Sequence, residues 1–264
     1  MKLRTVRAVR YVTPLREGGS LPAIVEADDL GLYVLKFRGA GQGPLALVAE
    51  IVGGEVGRAL GLRVPELVLM EVDGELGRNE PDQEIRELLK RSTGLNVALD
   101  FLPGSTMFDP AAGDRAEPEL ASMVVWMDAY LSNVDRTARN PNLLVWHGQL
   151  QLIDHGAALY WQHDWECRER AVASVFAATR NHVLLPWAGE MAAAWETARG
   201  TISRELLTGI LDAVPSDWLR GGEPREVSED PEARRAGYVE FLARRLEHSG
   251  RFVEEAIRAR SELV

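Results

Sequence analysis

Apolar and polar positions alternate near the start of the chain and take up helical spacing further along it. Thr5 to Val12 sets apolar and charged residues in turn, the period of a strand with one buried face. Pro14, Gly18 and Gly19 interrupt that pattern and Pro22 to Ala27 resumes it. Asp28-Asp29-Leu30-Gly31 reads as a hairpin turn into the β-forming run Leu32-Tyr33-Val34-Leu35-Lys36-Phe37. From Pro44 to Leu60 the period changes: Leu47, Ile51, Val52, Val56 and Leu60 fall on one side of a helix that Gly61 stops. Strands are predicted over Val64 to Val72, broken around Pro65, and over Asn96 to Leu102, which ends at a Pro103-Gly104 hinge. Residues 73–92 are polar and read as a solvated excursion with one short helix, Glu84 to Lys90.

Beyond the hinge the pattern shifts. Residues 105–117 read as loop, and Pro118 to Leu131 is apolar nearly all round, which predicts a buried helix. A polar loop, Ser132 to Pro141, leads into two short strands, Leu143 to Trp146 and Leu150 to Ile153, joined by His147-Gly148-Gln149. The remainder reads as helical. Gly221 to Asp230 is the clearest linker, after which Pro231 opens one long final helix carrying Val239, Leu242, Leu246, Val253 and Ile257. This order predicts an α+β chain in two lobes: β-rich residues 1–104, mainly helical residues 105–264, and a cleft between them.

Composition narrows the function classes. At 264 residues and 46% hydrophobic the chain can build a core, and its net charge of −10 argues against broad binding to nucleic acid or an anionic membrane. One cysteine, Cys167, permits neither a disulfide framework nor a cysteine-based zinc cage. No run of 18 apolar residues offers a spanning helix, and the first residues lack the apolar stretch of a secretory signal. The expectation is a cytoplasmic protein.

Three separated features point to one chemistry. Lys36, inside an apolar strand, can offer a point charge to phosphate oxygens, while Gly18-Gly19-Ser20 lets backbone N–H groups approach them closely. On its own, Lys36 also fits an edge strand with a solvated head. Glu50, on the following helix, can hold the ammonium in place, with Glu55 as a competing choice. The third feature is Asp135-Arg136-Thr137-Ala138-Arg139-Asn140, followed by a strand pair ending in Asp154-His155-Gly156. A carboxylate, an amide five residues on, and a second carboxylate on the paired strand supply hard oxygen ligands of the kind that hold Mg²⁺ with phosphates. His155, His163, Asp164, Glu166 and Cys167 cluster in sequence but match no metal-ligand spacing, and His182 reads as a satisfied structural histidine.

With these motifs in order, the chain resembles the HipA-like kinases, relatives of the protein-kinase and phosphatidylinositol-kinase fold. The resemblance covers residues 10 to about 160, with only a helical lobe matched beyond. It implies a phosphotransferase using ATP and Mg²⁺, acting on a protein serine or threonine. Lys36 would bind ATP phosphates and Glu50 would be its helix partner. Asp135 would orient or deprotonate the acceptor hydroxyl, and Arg139 would neutralise the transferring phosphate. Asn140 and Asp154 would hold the metal. Asn142 competes with Asn140, which spacing favours. Leu99 to Gly104, including Phe101 and Leu102, resembles the hinge against which adenine hydrogen-bonds.

The chain also departs from the family's toxins. Its 264 residues are expected to leave no room for their additional N-terminal region, its Gly-rich segment is short, and His155 replaces an aromatic. A nucleotide-binding interaction protein and a small-molecule alcohol kinase are the competing functions. The acceptor, and an antitoxin-like partner protein, remain open at this point.

Overall fold

The computed structural model describes residues 2–15, 21–78, 80–220 and 230–263. Within the first hundred residues the elements are β1 (Arg4–Pro14), β2 (Ala23–Ala27), β3 (Leu32–Lys36), α1 (Pro44–Ala59), β4 (Leu67–Val72), α2 (Gln83–Arg91) and β5 (Gly94–Asp100). The five strands close into a barrel in the order β1-β2-β3-β5-β4. Four of the five pairings are antiparallel, and β4 closes the ring parallel to β1 with Arg4 opposite Val68. Closure removes the free edges. Lys36 therefore lies between β2 and β5, which overturns the edge-strand reading of that residue.

Small side chains fill the narrow barrel. Ala8, Ala23, Ala27 and Ala98 share its interior with Val25, Leu35, Val68 and Met70. Ile85, Leu88 and Leu89 of α2 are buried in the same cluster. Residues 73–92 are thus only partly a solvated excursion: Asp82 caps α2, its carboxylate accepting the Glu84 N–H at 2.9 Å, and the helix lays its apolar face on the barrel.

Every residue of α1 from Leu47 to Gly57 is buried. The helix packs between β5 on one side and, on the other, α3 (Pro118–Leu131), α6 (Arg204–Leu211) and the turn at Ser216–Arg220. Glycines set how close it comes. A Cβ on Gly53 would lie 2.6 Å from the His155 Cβ, and one on Gly54 would lie 2.4 Å from the Leu67 Cδ1.

The second sheet has three strands: β6 (Thr106–Met107), β7 (Leu143–Trp146) and β8 (Gln149–Leu152). Thr106 pairs with Val145, so residues 105–117 are not purely loop. His147 and Gly148 both have positive φ (49° and 72°), as a two-residue type I′ hairpin turn demands. After β8 the chain runs largely through 3₁₀ turns rather than the expected helices, up to residue 187. The interruption is the short α4 (Arg168–Val172); α5 (Met191–Thr201), α6, α7 (Pro231–Glu247) and α8 (Gly250–Ser261) complete the fold.

The single final helix is two. Ser249 is buried, donates from its hydroxyl to the Leu246 carbonyl at 2.5 Å, and accepts the Trp195 indole N–H at 2.8 Å. Its own N–H and that of His248 turn back three residues, to Leu246 and Arg245, which tightens and ends α7. Ile257 on α8 is consequently 50% exposed rather than core. Residues 221–229 of the expected linker lie outside the described residues. Arg245, buried, donates to the carbonyls of Ala129 and Tyr130 at 2.7 Å each and so satisfies the C-terminal end of α3.

Candidate active site

The Lys36 ammonium sits between two carboxylates, 2.9 Å from Glu50 Oε2 and 2.5 Å from Asp154 Oδ1. Strand β3 delivers the lysine, α1 the glutamate, and the turn after β8 the aspartate. Glu50 Oε2 also accepts the His155 backbone N–H at 2.9 Å, tying α1 directly to that turn. Burial pushes the Glu50 carboxyl up, but the Lys36 charge and the adjacent His155 imidazole outweigh it and hold it at about 2. Burial likewise pulls the Lys36 ammonium down, and the two carboxylates more than reverse this, leaving it well above the usual lysine value. Glu55, the competing choice, makes an intrahelical contact with Arg58 at 3.8 Å instead.

Asp135 stands half-buried at the start of a tight turn closed by Thr137 N–H to the Asn140 carbonyl and Asn140 N–H to the Thr137 carbonyl. Its Oδ2 accepts from the Asn140 side-chain amide at 2.7 Å and from that of Asn142 at 3.4 Å. Burial, joined by the charge of Asp154, raises the Asp135 carboxyl above its ordinary value although both amides oppose the shift. Asn142 has φ 49° and its carbonyl accepts the Ile153 N–H at 3.1 Å, extending the β7–β8 pairing by one residue. Asp154 follows immediately with φ 55°. Both asparagines therefore contact Asp135, and Asn142 lies across from the residue before Asp154.

Arg139 is not part of this contact. It is exposed, and its guanidinium forms no hydrogen bond or ion pair among the described residues. Gly18, Gly19 and Ser20 lie outside the described residues. At the expected hinge, the Phe101 N–H donates to the Leu32 carbonyl at 2.9 Å, and Ser105 donates its N–H and hydroxyl to the Leu102 carbonyl. The Phe101 carbonyl and the Leu102 N–H keep no internal partner among the described residues. His155 is buried beside Gly53, with Nδ1 3.7 Å from Glu50 Oε1 and neither ring nitrogen hydrogen-bonded among the described residues.

The sequence matches the family described as HipA-like kinase over residues 8–242. The chain belongs to that family. Among solved structures, the Helicobacter pylori proinflammatory kinase CtkA is similar in fold, with a TM-score of 0.53 at 15% identity, covering 97% of this chain and 99% of that one. A Golgi casein kinase with Mn/ADP bound aligns at a TM-score of 0.48 and 10% identity, over 96% of this chain and 73% of that one. A comparison with curated proteins finds no match. Membership in the HipA-like kinases supports a phosphotransferase, and no helix among the described residues is long and apolar enough to cross a membrane.

In this member of the family, a buried network that the motifs do not reveal supports the Asp135 turn. Asp128 on α3 accepts from Arg136 Nε at 2.6 Å, from the Asn133 amide at 3.0 Å, and from His182 Nε2 at 2.9 Å. The His182 Nδ1 accepts the Leu184 N–H at 3.0 Å, which fixes the tautomer with the proton on Nε2. Arg136 also donates to the carbonyls of Asn142 and Ile153, and its own carbonyl accepts the Val183 N–H at 3.1 Å. One guanidinium thus joins α3, the turn and the ends of β7 and β8. Burial pushes Asp128 up, but the Arg136 charge and His182 hold it well below the ordinary carboxylate range. The available sequence signal was a lone aspartate inside an apolar helix, since an unpaired charge is not tolerated there.

Proposed function

We propose that the chain is an ATP- and Mg²⁺-dependent phosphotransferase built as two lobes, residues 1–104 and 105–264, which acts on a protein serine or threonine. The observation that carries this reading is the Lys36 ammonium held between Glu50 and Asp154. Support for the lobe boundary comes from the pairing: strands up to Asp100 close the barrel, whereas Thr106 joins β7. The protein acceptor rests on family resemblance.

Phosphoryl transfer is chiefly positioning and charge stabilisation. Glu50 fixes the Lys36 side chain, which would bind the phosphates of ATP. The free carbonyl of Phe101 and N–H of Leu102 would meet the donor and acceptor edge of adenine. Asp135, with its raised pKa, is suited to accept the proton of an incoming hydroxyl. Among the described residues no group of three or more His, Cys, Asp or Glu could hold a metal alone. One carboxylate, Asp154, with the amide oxygen of Asn140 or Asn142 nevertheless fits Mg²⁺, which keeps waters and takes its remaining ligands from phosphate. Such an ion would neutralise phosphate charge as it moves to the acceptor. Arg139, exposed beside the turn, would have to swing inward to share that task.

Calorimetry of ATP binding with and without Mg²⁺, on the wild type and Asp154→Ala, tests the proposal. Mg²⁺-dependent binding that disappears in the variant is expected. Absence of binding by the wild type would end the kinase reading of this chain.

A further inference from the structure

A cavity of about 640 Å³ opens beside the Asp135 turn, lined among others by Thr137, Arg139, Arg180, His182, Pro186 and Leu263. Its wall and the turn are one backbone unit: Thr137 bridges His182, and the Val183 N–H donates to the Arg136 carbonyl. Arg139 and Arg180 are both exposed, and neither forms a hydrogen bond or ion pair among the described residues. Glu255, a carboxylate that feels the Arg180 charge, already has both oxygens taken by the Arg258 guanidinium. Arg260 adds a third positive group at the rim, donating to the Pro186 carbonyl at 3.3 Å. None of the described lining residues is acidic, in a chain whose net charge is −10.

We propose that this cavity is a subsite for an acidic side chain of the acceptor polypeptide, resting on the phosphotransferase reading above. Guanidinium groups match carboxylate and phosphate oxygens in a planar fork, and two unpaired ones facing a cavity favour an anion there. The cavity shares no residue with the Lys36, Glu50 and Asp154 cluster, and Arg180, unlike Arg139, has no assigned part in handling the nucleotide phosphates, so Arg180 sets this anion apart from them. Residues two to four positions past Asp135 line it. A chain whose hydroxyl reaches Asp135 would therefore lay a neighbouring side chain into it, and an acidic neighbour would be selected over a basic one.

The test uses two fluorescein-labelled octapeptides, one serine flanked by glutamates and the same serine flanked by lysines, with binding read by anisotropy. The glutamate peptide is expected to bind the full chain at least about tenfold more tightly than the lysine peptide. R180E should weaken it by about tenfold or more and R180K by much less, since R180K keeps the charge and loses the fork. ADP binding by R180E, measured by calorimetry, should stay at the wild-type value. Equal binding of both peptides, or an unchanged R180E, would overturn the subsite. Displacement by inorganic phosphate at the peptide's own concentration and matched ionic strength would overturn the polypeptide in favour of a free anion. Wild-type ADP binding without peptide selectivity would remove the subsite alone; peptide selectivity without ADP binding would remove the nucleotide reading instead.

Discussion

The two carboxylates that hold Lys36 differ in surroundings. The Glu50 side chain is fully buried, whereas that of Asp154 is 41% exposed and so is the one free to exchange its partner for a bound ion. That leaves two amides to complete the oxygen set, and their backbones separate them. Asn142 is buried with φ 49°, a conformation asparagine tolerates and alanine does not, so Asn142→Ala should lower stability by about 1–2 kcal/mol. Asn140 is half-buried at ordinary φ, and Asn140→Ala should cost about 1 kcal/mol or less through its bond to Asp135. Asn140→Ala is expected to lose the Mg²⁺ dependence of ADP binding while unfolding close to the wild-type midpoint. If thermal unfolding and calorimetry instead show Asn142→Ala well folded and Mg²⁺-independent, with Asn140→Ala normal, the assignment passes to Asn142.

Among the elements, α1 determines whether Glu50 meets Lys36, and Gly53 determines how deeply α1 sits. Alanine there would place a methyl group 2.6 Å from the His155 Cβ, so either the helix or the Asp154 turn must move. Gly53→Ala should cost about 1–3 kcal/mol of stability and weaken ADP binding by loosening the contact between Lys36 and its two carboxylates. Full nucleotide affinity in a destabilised Gly53→Ala protein would show that the turn yields without disturbing the site. Much of α1 was legible from its spacing, as were β3 and the all-round apolar α3, because each is a local pattern. Barrel closure was not, since Arg4 and Val68 pair across 64 residues and nothing near either announces the other. Strand β6 is two residues long, too short for any period. The break after α7 was hidden because apolar spacing runs on from Leu246 to Val253, and what ends the helix is the hydroxyl of Ser249. The same division holds at the site: Asp135, Asn140 and Asp154 stood out as spaced motifs, whereas Glu50 was preferred to Glu55 through the family resemblance, and the contact of Glu50 with Lys36 comes from the packing of α1.

At the scale of the molecule, the Asp128 network ties α3, the Asp135 turn and the 177–187 segment into one core, and its histidine makes that connection sensitive to pH. His182 is buried; burial pulls its pKa down, although Asp128 pulls the other way, and the net direction is down from 6.5. The hydrogen bonds agree. Nδ1 already accepts the Leu184 N–H, so a second proton would face a donor. A histidine whose folded pKa is depressed contributes stability above the unfolded value that is lost as pH falls through 6.5, because the unfolded chain then binds a proton the folded chain resists. The loss is at most about 1.4 kcal/mol per pH unit for one proton. Two other effects overlap this window. Approach to the pI near 5.1 relieves net repulsion and works against the loss, while His163, also depressed by burial, adds to it. The stability that the Asp128 carboxylate contributes is lost only as pH falls below its unfolded value of 3.8, which leaves the window clear. Comparing urea midpoints of the wild type and His182→Gln between pH 8 and pH 5 isolates the term. The wild type should be the more stable at pH 8, and the gap should narrow steadily below pH 6.5. Parallel curves across that range would mean that His182 takes up its proton in the folded state, at the cost of the Leu184 bond, and that the network tolerates acid.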